Sequence, residues 1–426
     1  MVRAQSKAAA QAAKWHNACV LRCQLGPGLS GLATDKGDEL NENMEKAGTV
    51  QGRPKTLAEA KNWMLDKLAA KVHPMNLVSQ EDGERLIDAL QGLDGASWAA
   101  VWGKAGDEAR AAADRARDVG DGQHASSLYM KASGFYFMGR FPCPNHPDKE
   151  RCAKAERETY VLAGSYWENP VQRITIPFQG RAGEGNEQVF LLRRPQGVER
   201  PPVVVMWGGV DAWKEQMTMA CNAFLAAGVA TIAMDNAGTG ESPVKGVQDA
   251  ERQFLPVFEW AACQLDLDGE KVGILGRSFG GYWATKLAHL YPAHIAAAVN
   301  WGGGAHYMFQ PDWVEASRYP DSYLMELVET RQRMLGANTD QEYIDFFKRL
   351  SLVDQGLLDI PSAPLLLVNG KEDKQCPIAD LHLLTEHGSP KAVRLFPGGH
   401  MGNTPQTLPT IVQWLSTHVK NKVEAA

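Results

Sequence analysis

Lys271-Val272-Gly273-Ile274-Leu275-Gly276-Arg277-Ser278-Phe279-Gly280-Gly281 decides how the rest of the chain is read. The apolar run 271–275 has strand character, and from Gly280 onward the pattern is helical, with Gly281 and Ala284 as small residues on the inner face. Ser278 therefore stands in a G-x-S-x-G sequence between a strand and a helix. A serine so placed sits at the tip of a sharp, strained turn, and the flanking glycines let strand and helix pass close by. Any glycine-rich turn can hold a structural serine. The strand before it and the helix after it make this one a candidate nucleophile.

Working outward, short β-rich runs lie at 171–178, 189–193, 203–207, 230–234, 272–275, 296–300, 364–368 and 393–396. The first two read as a strand pair around a Gly-rich turn. Candidate helices lie among the later runs, at 214–227, 250–264, 280–290, 378–386 and 407–419. Apolar strands alternating with helices imply a mostly parallel sheet with helices on both faces. A further segment, 311–350, reads as a short helical insertion after the sixth strand. Before residue 170 the periodicity is purely helical: Leu57, Ala60, Trp63, Met64 and Leu68 recur at spacings of three and four, as do Leu86, Leu90 and Leu93. The expected organisation is a basic extension over 1–43, a helical cap domain over 44–169 and an α/β catalytic domain over 170–426.

A serine nucleophile needs a base, and the base needs an orienting group. His400 lies in Phe396-Pro397-Gly398-Gly399-His400-Met401-Gly402, after the last run and before the last helix. Asp373 follows the run at 364–368, with Glu372 as its neighbouring rival. The chain order Ser278, Asp373, His400 is that of α/β-hydrolases and not of chymotrypsin or subtilisin. The oxyanion formed on attack needs two N–H donors. Phe279, next after the serine, supplies one. Trp207-Gly208-Gly209-Val210-Asp211 follows an early strand and offers the second from Gly209 or Val210.

With these residues the chain resembles the α/β-hydrolase superfamily and, more narrowly, the FrsA-like esterase group. The likeness rests on Gly208-Gly209-Val210-Asp211-Ala212-Trp213-Lys214-Glu215, on Asp235-Asn236-Ala237-Gly238-Thr239-Gly240-Glu241-Ser242, on the serine turn, and on the helical domain placed first. It spans about residue 100 to the C-terminus. Within the group it runs toward the 2,6-dihydroxypseudooxynicotine hydrolase of nicotine breakdown and toward fungal hydrolases that shorten polyketides. The resemblance implies an α/β-hydrolase fold with a Ser-Asp-His triad, and it suggests a homodimer through the helical half. It also implies either ester hydrolysis or cleavage of a carbon–carbon bond beside a ketone. The nicotine enzyme's acidic residue past the serine turn has no counterpart in Trp301–Gln310, where the first acids are Asp312 and Glu315 beyond it. Asp211, Lys214 and Glu215 read as structural ties of the loop more readily than as substrate contacts.

Composition excludes other classes. Lys and Arg total 44 against 50 Asp and Glu, a formal net charge of −6 in 426 residues, so nucleic acid finds no general basic footprint. The longest apolar stretch, at 223–234, is too short for a membrane span and is interrupted by Gly228. Seven cysteines, an odd number in so long a chain, point to a reducing, cytoplasmic setting. The segment up to Thr34 carries Arg3, Lys7, Lys14 and Arg22 and no acid. It reads as an amphipathic helical extension, and a transit peptide also accounts for it. His16-Cys19-Cys23 and Cys143-His146-Cys152 lack four ligands at a structural-zinc spacing, and no phosphate- or dinucleotide-binding motif is present. Neither a metal nor a cofactor is implied.

These residues predict a serine hydrolase acting on a carboxylic ester of aromatic or ketone-bearing character, with a β-diketone or aryl ketone as the alternative substrate for the same triad. A non-catalytic binding protein on the same fold is the rival from another class. Substrate contacts are expected from Trp207, Trp301, His306 and Tyr307, and further pocket walls from Phe309 and Phe135-Tyr136-Phe137. A prolyl-oligopeptidase-like reading is disfavoured, because the leading domain is helical and has no propeller repeat.

Overall fold

Helix α1 (Leu57–Ala69) opens the described part of the chain, which in this computed structural model is residues 52–421. The basic extension and the His16-Cys19-Cys23 grouping lie outside the described residues. A reciprocal cap starts α1: the Thr56 hydroxyl accepts from Glu59 N–H at 3.3 Å, and Glu59 accepts from Thr56 N–H at 2.8 Å. Four more helices follow, α2 (Gln80–Ala89), α3 (Gly95–Asp118), α4 (Gly122–Arg140) and α5 (Pro147–Gly164). Gly103 and Gly106 weaken the first half of α3 as a helix. Tertiary packing needs those glycines. A Cβ on Gly106 would lie 2.5 Å from the Tyr136 ring, and one on Gly103 would lie 3.0 Å from Cys152 Sγ. Trp98, Trp102, Phe135, Tyr136 and Phe137 fill the resulting helical core. The aromatic run expected at a pocket wall is thus the interior of this helical layer.

Eight strands then form one sheet in the order β1-β2-β4-β3-β5-β6-β7-β8. They are β1 (Gln172–Pro177), β2 (Glu187–Arg193), β3 (Pro202–Trp207), β4 (Ala230–Met234), β5 (Asp268–Arg277), β6 (Ile295–Trp301), β7 (Leu365–Gly370) and β8 (Ala392–Phe396). β1 and β2 pair antiparallel, as do β2 and β4, and the remaining pairs are parallel. The chain leaves β3 toward β4 on one side and returns as β5 on the other. The loops after β3 and β5 therefore diverge and leave a crevice at the carboxyl ends of the strands, where open α/β sheets bind ligands. The insertion after β6 holds α9 (Pro311–Ala316), α10 (Leu327–Leu335) and α11 (Asp340–Lys348).

The helices beside the sheet are α6 (Thr218–Ala226), α7 (Leu255–Ala262), α8 (Gly280–Leu290), α12 (Ile378–Glu386) and α13 (Thr407–Lys420). Two of them start later than the sequence pattern indicates. Residues 214–217 form a 3-10 turn, where Lys214 N–H is drawn to the Asp235 carboxylate at 3.0 Å. A second 3-10 turn at Ala250–Gln253 gives way to α7 near Pro256, whose missing N–H suits a helix start and not its middle. Among the described residues no helix is long and apolar enough to cross a membrane.

Candidate active site

Ser278 holds φ 55°, in the left-handed region that a residue with a Cβ occupies only under constraint. Its N–H donates to Trp301 O at 2.7 Å, and Gly281 N–H donates to Ser278 O at 2.8 Å. Those bonds hold the turn, and Gly276 permits it: a Cβ there would strike the Gly280 carbonyl at 2.0 Å. The hydroxyl is thereby lifted above the end of β5.

His400 Nε2 lies 2.8 Å from Ser278 Oγ, and its Nδ1 lies 2.8 Å from Asp373 Oδ2. The three residues come from the ends of β5, β8 and β7. The Asp373 side chain is fully buried and also accepts from Gln375 N–H at 2.8 Å, Cys376 N–H at 3.1 Å and the Asn369 amide at 2.9 Å. Glu372 is exposed, so its carboxylate is not the one beside His400. Asn369 does a job that its place in the sequence does not reveal. Its Oδ1 accepts from Met401 N–H at 2.9 Å and from Gly370 N–H at 2.8 Å, so one side chain ties the aspartate loop to the histidine loop.

The loop after β3 faces the serine. A Cβ on Gly209 would lie 2.9 Å from Ser278 Cβ and 3.4 Å from Phe279 N, so only glycine fits there. The rest of the loop is held from beneath and behind. Lys214 is buried with Nζ 2.7 Å from Asp235, 2.9 Å from Glu241 and 3.2 Å from Glu215. Burial works against its charge, but Asp235, Glu215 and Glu241 outweigh that and hold its pKa above the usual lysine range. Burial drives the Glu215 carboxyl up to about 7, against the pull of Lys214. From α4, buried Arg140 pairs with buried Glu156 at 2.6 Å, donates to Asp211 O at 2.7 Å and lies 3.5 Å over the Trp213 ring. Lys214 and Glu215 thus act as ties, as their place in the motif suggests.

Asp211 turns the other way, into a cleft of about 390 Å³ between α1, the loop around His73, the sheet edge and the insertion. Its Oδ2 accepts from the Tyr323 hydroxyl at 2.7 Å, and His73 Nε2 stands 3.3 Å from Oδ1. Burial alone would raise its pKa; His73, Tyr323 and Arg277 outweigh burial and bring it down to about 2. Gly209, Val210, Ser278, Phe279 and His400 line the same cleft, with Trp63, Arg277 and Arg331.

The four expected substrate contacts lie elsewhere. Trp207 is fully buried, its indole N–H donating to Gly280 O at 2.8 Å beneath the serine turn. Trp301 donates to Met401 O at 2.7 Å and lines a neighbouring cavity. After β6 the buried Asp380 carboxylate accepts from the N–H groups of His306, Tyr307 and Met308 at 2.7–3.0 Å. That anchor directs the His306 ring to Ser351 Oγ at 2.7 Å, and Tyr307 is likewise not among the cleft residues. Phe309 packs with Phe279, Tyr282 and Phe347. The residues that do line the cleft include His73, Tyr323 and Arg331, which carry no local motif. Arg277 had one signal, its position beside the serine.

Asp373, Cys376 and His400 offer ligand-type atoms within 4.8 Å of one another. Asp373 and His400 already bond each other, and burial pushes the Cys376 thiol well above its usual range, away from the thiolate that binds metal. Cys143 and Cys152 are separately buried, and His146 caps α5 by accepting from Asp148 N–H at 3.3 Å.

Residues 55–420 match the family model described as esterase FrsA-like. Esterase FrsA of Photobacterium profundum is 22% identical over 78% of this chain and 79% of its own length. The 2,6-dihydropseudooxynicotine hydrolase of Paenarthrobacter nicotinovorans is 27% identical over 49% of this chain, which spans about half of that relative, 55%. The crystal structure of 2,6-dihydroxy-pseudo-oxynicotine hydrolase superposes with a TM-score of 0.67 at 21% identity, covering 80% of this chain and 94% of that one, and so shares its fold. With the sheet order, the serine turn and this match over most of its length, the chain belongs to the FrsA-like esterase family of α/β-hydrolases.

Proposed function

We propose that this protein is a serine hydrolase that works through an acyl-enzyme on a carboxylic ester. The observation that carries the reading is the continuous chain of contacts from Ser278 Oγ to His400 to Asp373, 2.8 Å at each step, at the floor of a cleft. Ser278 attacks the carbonyl while His400 takes its proton, and Asp373 holds the imidazole tautomer and steadies its cation. The N–H of Phe279, with that of Gly209 or Val210, receives the oxyanion; a donor of this kind is worth ~10²–10³ in turnover. His400 then returns the proton to the leaving group, and water frees the acyl group.

Cleavage of a β-diketone is the second reading, favoured by the 27% identity to a hydrolase named for a pseudooxynicotine. The leaving group is then an enolate, which the adjacent carbonyl stabilises, and the same residues serve. An aryl ester and an aryl 1,3-diketone assayed side by side, with labelling by a fluorophosphonate, test both. Expected are a label on Ser278 and a fall of about 10⁴-fold or more in Ser278→Ala. Faster diketone cleavage selects the second reading. An unlabelled Ser278 in folded protein sinks both and leaves a binding protein on this fold.

A further inference from the structure

Arg277 ends β5 directly before the serine, and among the described residues its guanidinium makes no hydrogen bond and no ion pair. It is half-buried at the cleft wall, and the burial it does have pushes its pKa down, with Asp211 acting in the opposite direction. Arginine stays protonated in proteins, so the site carries a cation whose protein partners are missing. Arg140 shows the contrast: its charge meets Glu156, Asp211 O, Gln216 and the Trp213 face.

Arg277 also forms part of the wall between the catalytic cleft and a second cavity of about 300 Å³, bounded by Met217, Ala220, Trp301 and Leu408. The other charges around the cleft are largely engaged. Asp211 is held by Tyr323 and His73, and Lys67 Nζ lies 5.0 Å over the Trp63 ring. Arg331, packed in the interior, donates from one terminal nitrogen to the Ser317 and Tyr343 hydroxyls, while its Nε has no partner among the described residues. Lys67, Arg277 and Arg331 against Asp211 give the cleft three cations to one carboxylate, a balance of +2 inside a chain of net charge −6. Such a reversal focuses a positive potential on the bound molecule.

We infer that the substrate carries an anionic oxygen group of the carboxylate class, which Arg277 grips beside the carbonyl that Ser278 attacks. This rests on the serine-hydrolase reading above. A planar guanidinium matches a carboxylate through two parallel N–H···O bonds, so it fixes orientation as well as charge. The anion belongs to either the acyl or the leaving part, and the test separates these sources.

Two pairs of esters are compared by kcat/KM. In the first, phenyl hemiglutarate is set against phenyl pentanoate, placing the charge on the acyl side. In the second, the butanoate ester of 4-hydroxyphenylacetate is set against 4-cresyl butanoate, placing it on the leaving side. At least one anionic ester is expected to exceed its neutral counterpart by about tenfold or more. That ratio should fall to near one in Arg277→Gln and be partly regained in Arg277→Lys. Within-pair ratios cancel any general damage done by the substitution. Where turnover is too slow, protection of Ser278 from the fluorophosphonate by 4-phenylbutyrate over 4-phenylbutyramide supplies the same ratio. Ratios of one or below in the unaltered protein, or a preference that survives in Arg277→Gln, overturn the inference. Ser278 labelling keeps the failures apart: a labelled serine without anion preference removes this inference alone, whereas no label and no turnover removes the hydrolase reading with it.

Discussion

Lys214 and Arg277 are cations near strand ends at the same crevice, one fully buried after β3 and one half-buried closing β5, and their surroundings differ completely. Three carboxylates converge on Lys214, whereas the Arg277 guanidinium makes no hydrogen bond or ion pair among the described residues and lines the cleft. A buried charge is tolerated when its partners are supplied, and the supplier identifies the role. At Lys214 the protein supplies them, and the charge fastens the β3 loop to the β4 loop. At Arg277 the partner is left for a bound molecule. The FrsA-like motif joins both functions, with Gly209 and Asp211 facing the cleft and Trp213, Lys214 and Glu215 holding the loop from behind.

The contrast is sharpest under substitution. Lys214→Met leaves Asp235, Glu215 and Glu241 without their shared cation and should cost about 3–5 kcal/mol of stability, read from urea unfolding. A loss below about 1 kcal/mol would mean that the cluster is open to solvent and the comparison mistaken.

Glu215 refines the same side of it. Its folded pKa of about 7 lies above the ordinary 4.5, so the folded state holds the proton more tightly than the unfolded chain. Its stabilising contribution is full below pH 4.5 and is lost as pH rises to about 7. Glutamine does not titrate. Glu215→Gln should therefore gain on the unaltered protein across that window, by on the order of 1–3 kcal/mol at pH 8 relative to pH 4.5. A difference in unfolding midpoints that stays constant with pH would remove this account.

The smallest effect is expected at Arg277. With no hydrogen bond or ion pair to lose among the described residues, and with its side chain only half-buried, Arg277→Gln should leave unfolding stability within about 1 kcal/mol. A loss above about 2 kcal/mol would make Arg277 a second Lys214.

Legibility in the sequence followed the range of the forces involved. The strands of the sheet, the turn at Ser278 and the loops bearing Asp373 and His400 depend on apolar periodicity, glycine placement and chain order, all local and all readable from neighbouring residues. The cleft walls were not legible. Trp207, Trp301 and His306 stand near the right strand ends, but side-chain hydrogen bonds turn them into the interior or toward neighbouring elements, and Tyr307 does not line the cleft. His73 and Tyr323 are separated by 250 residues of chain and meet only at Asp211. No local pattern encodes such a meeting, because it depends on how the helical layer packs on the sheet. By itself the sequence determined the fold class, the nucleophile turn and the order of its partners. Tertiary structure alone decided which charges are satisfied, and so which residues face the substrate, since burial and pairing are properties of what surrounds a residue and not of its neighbours in the chain.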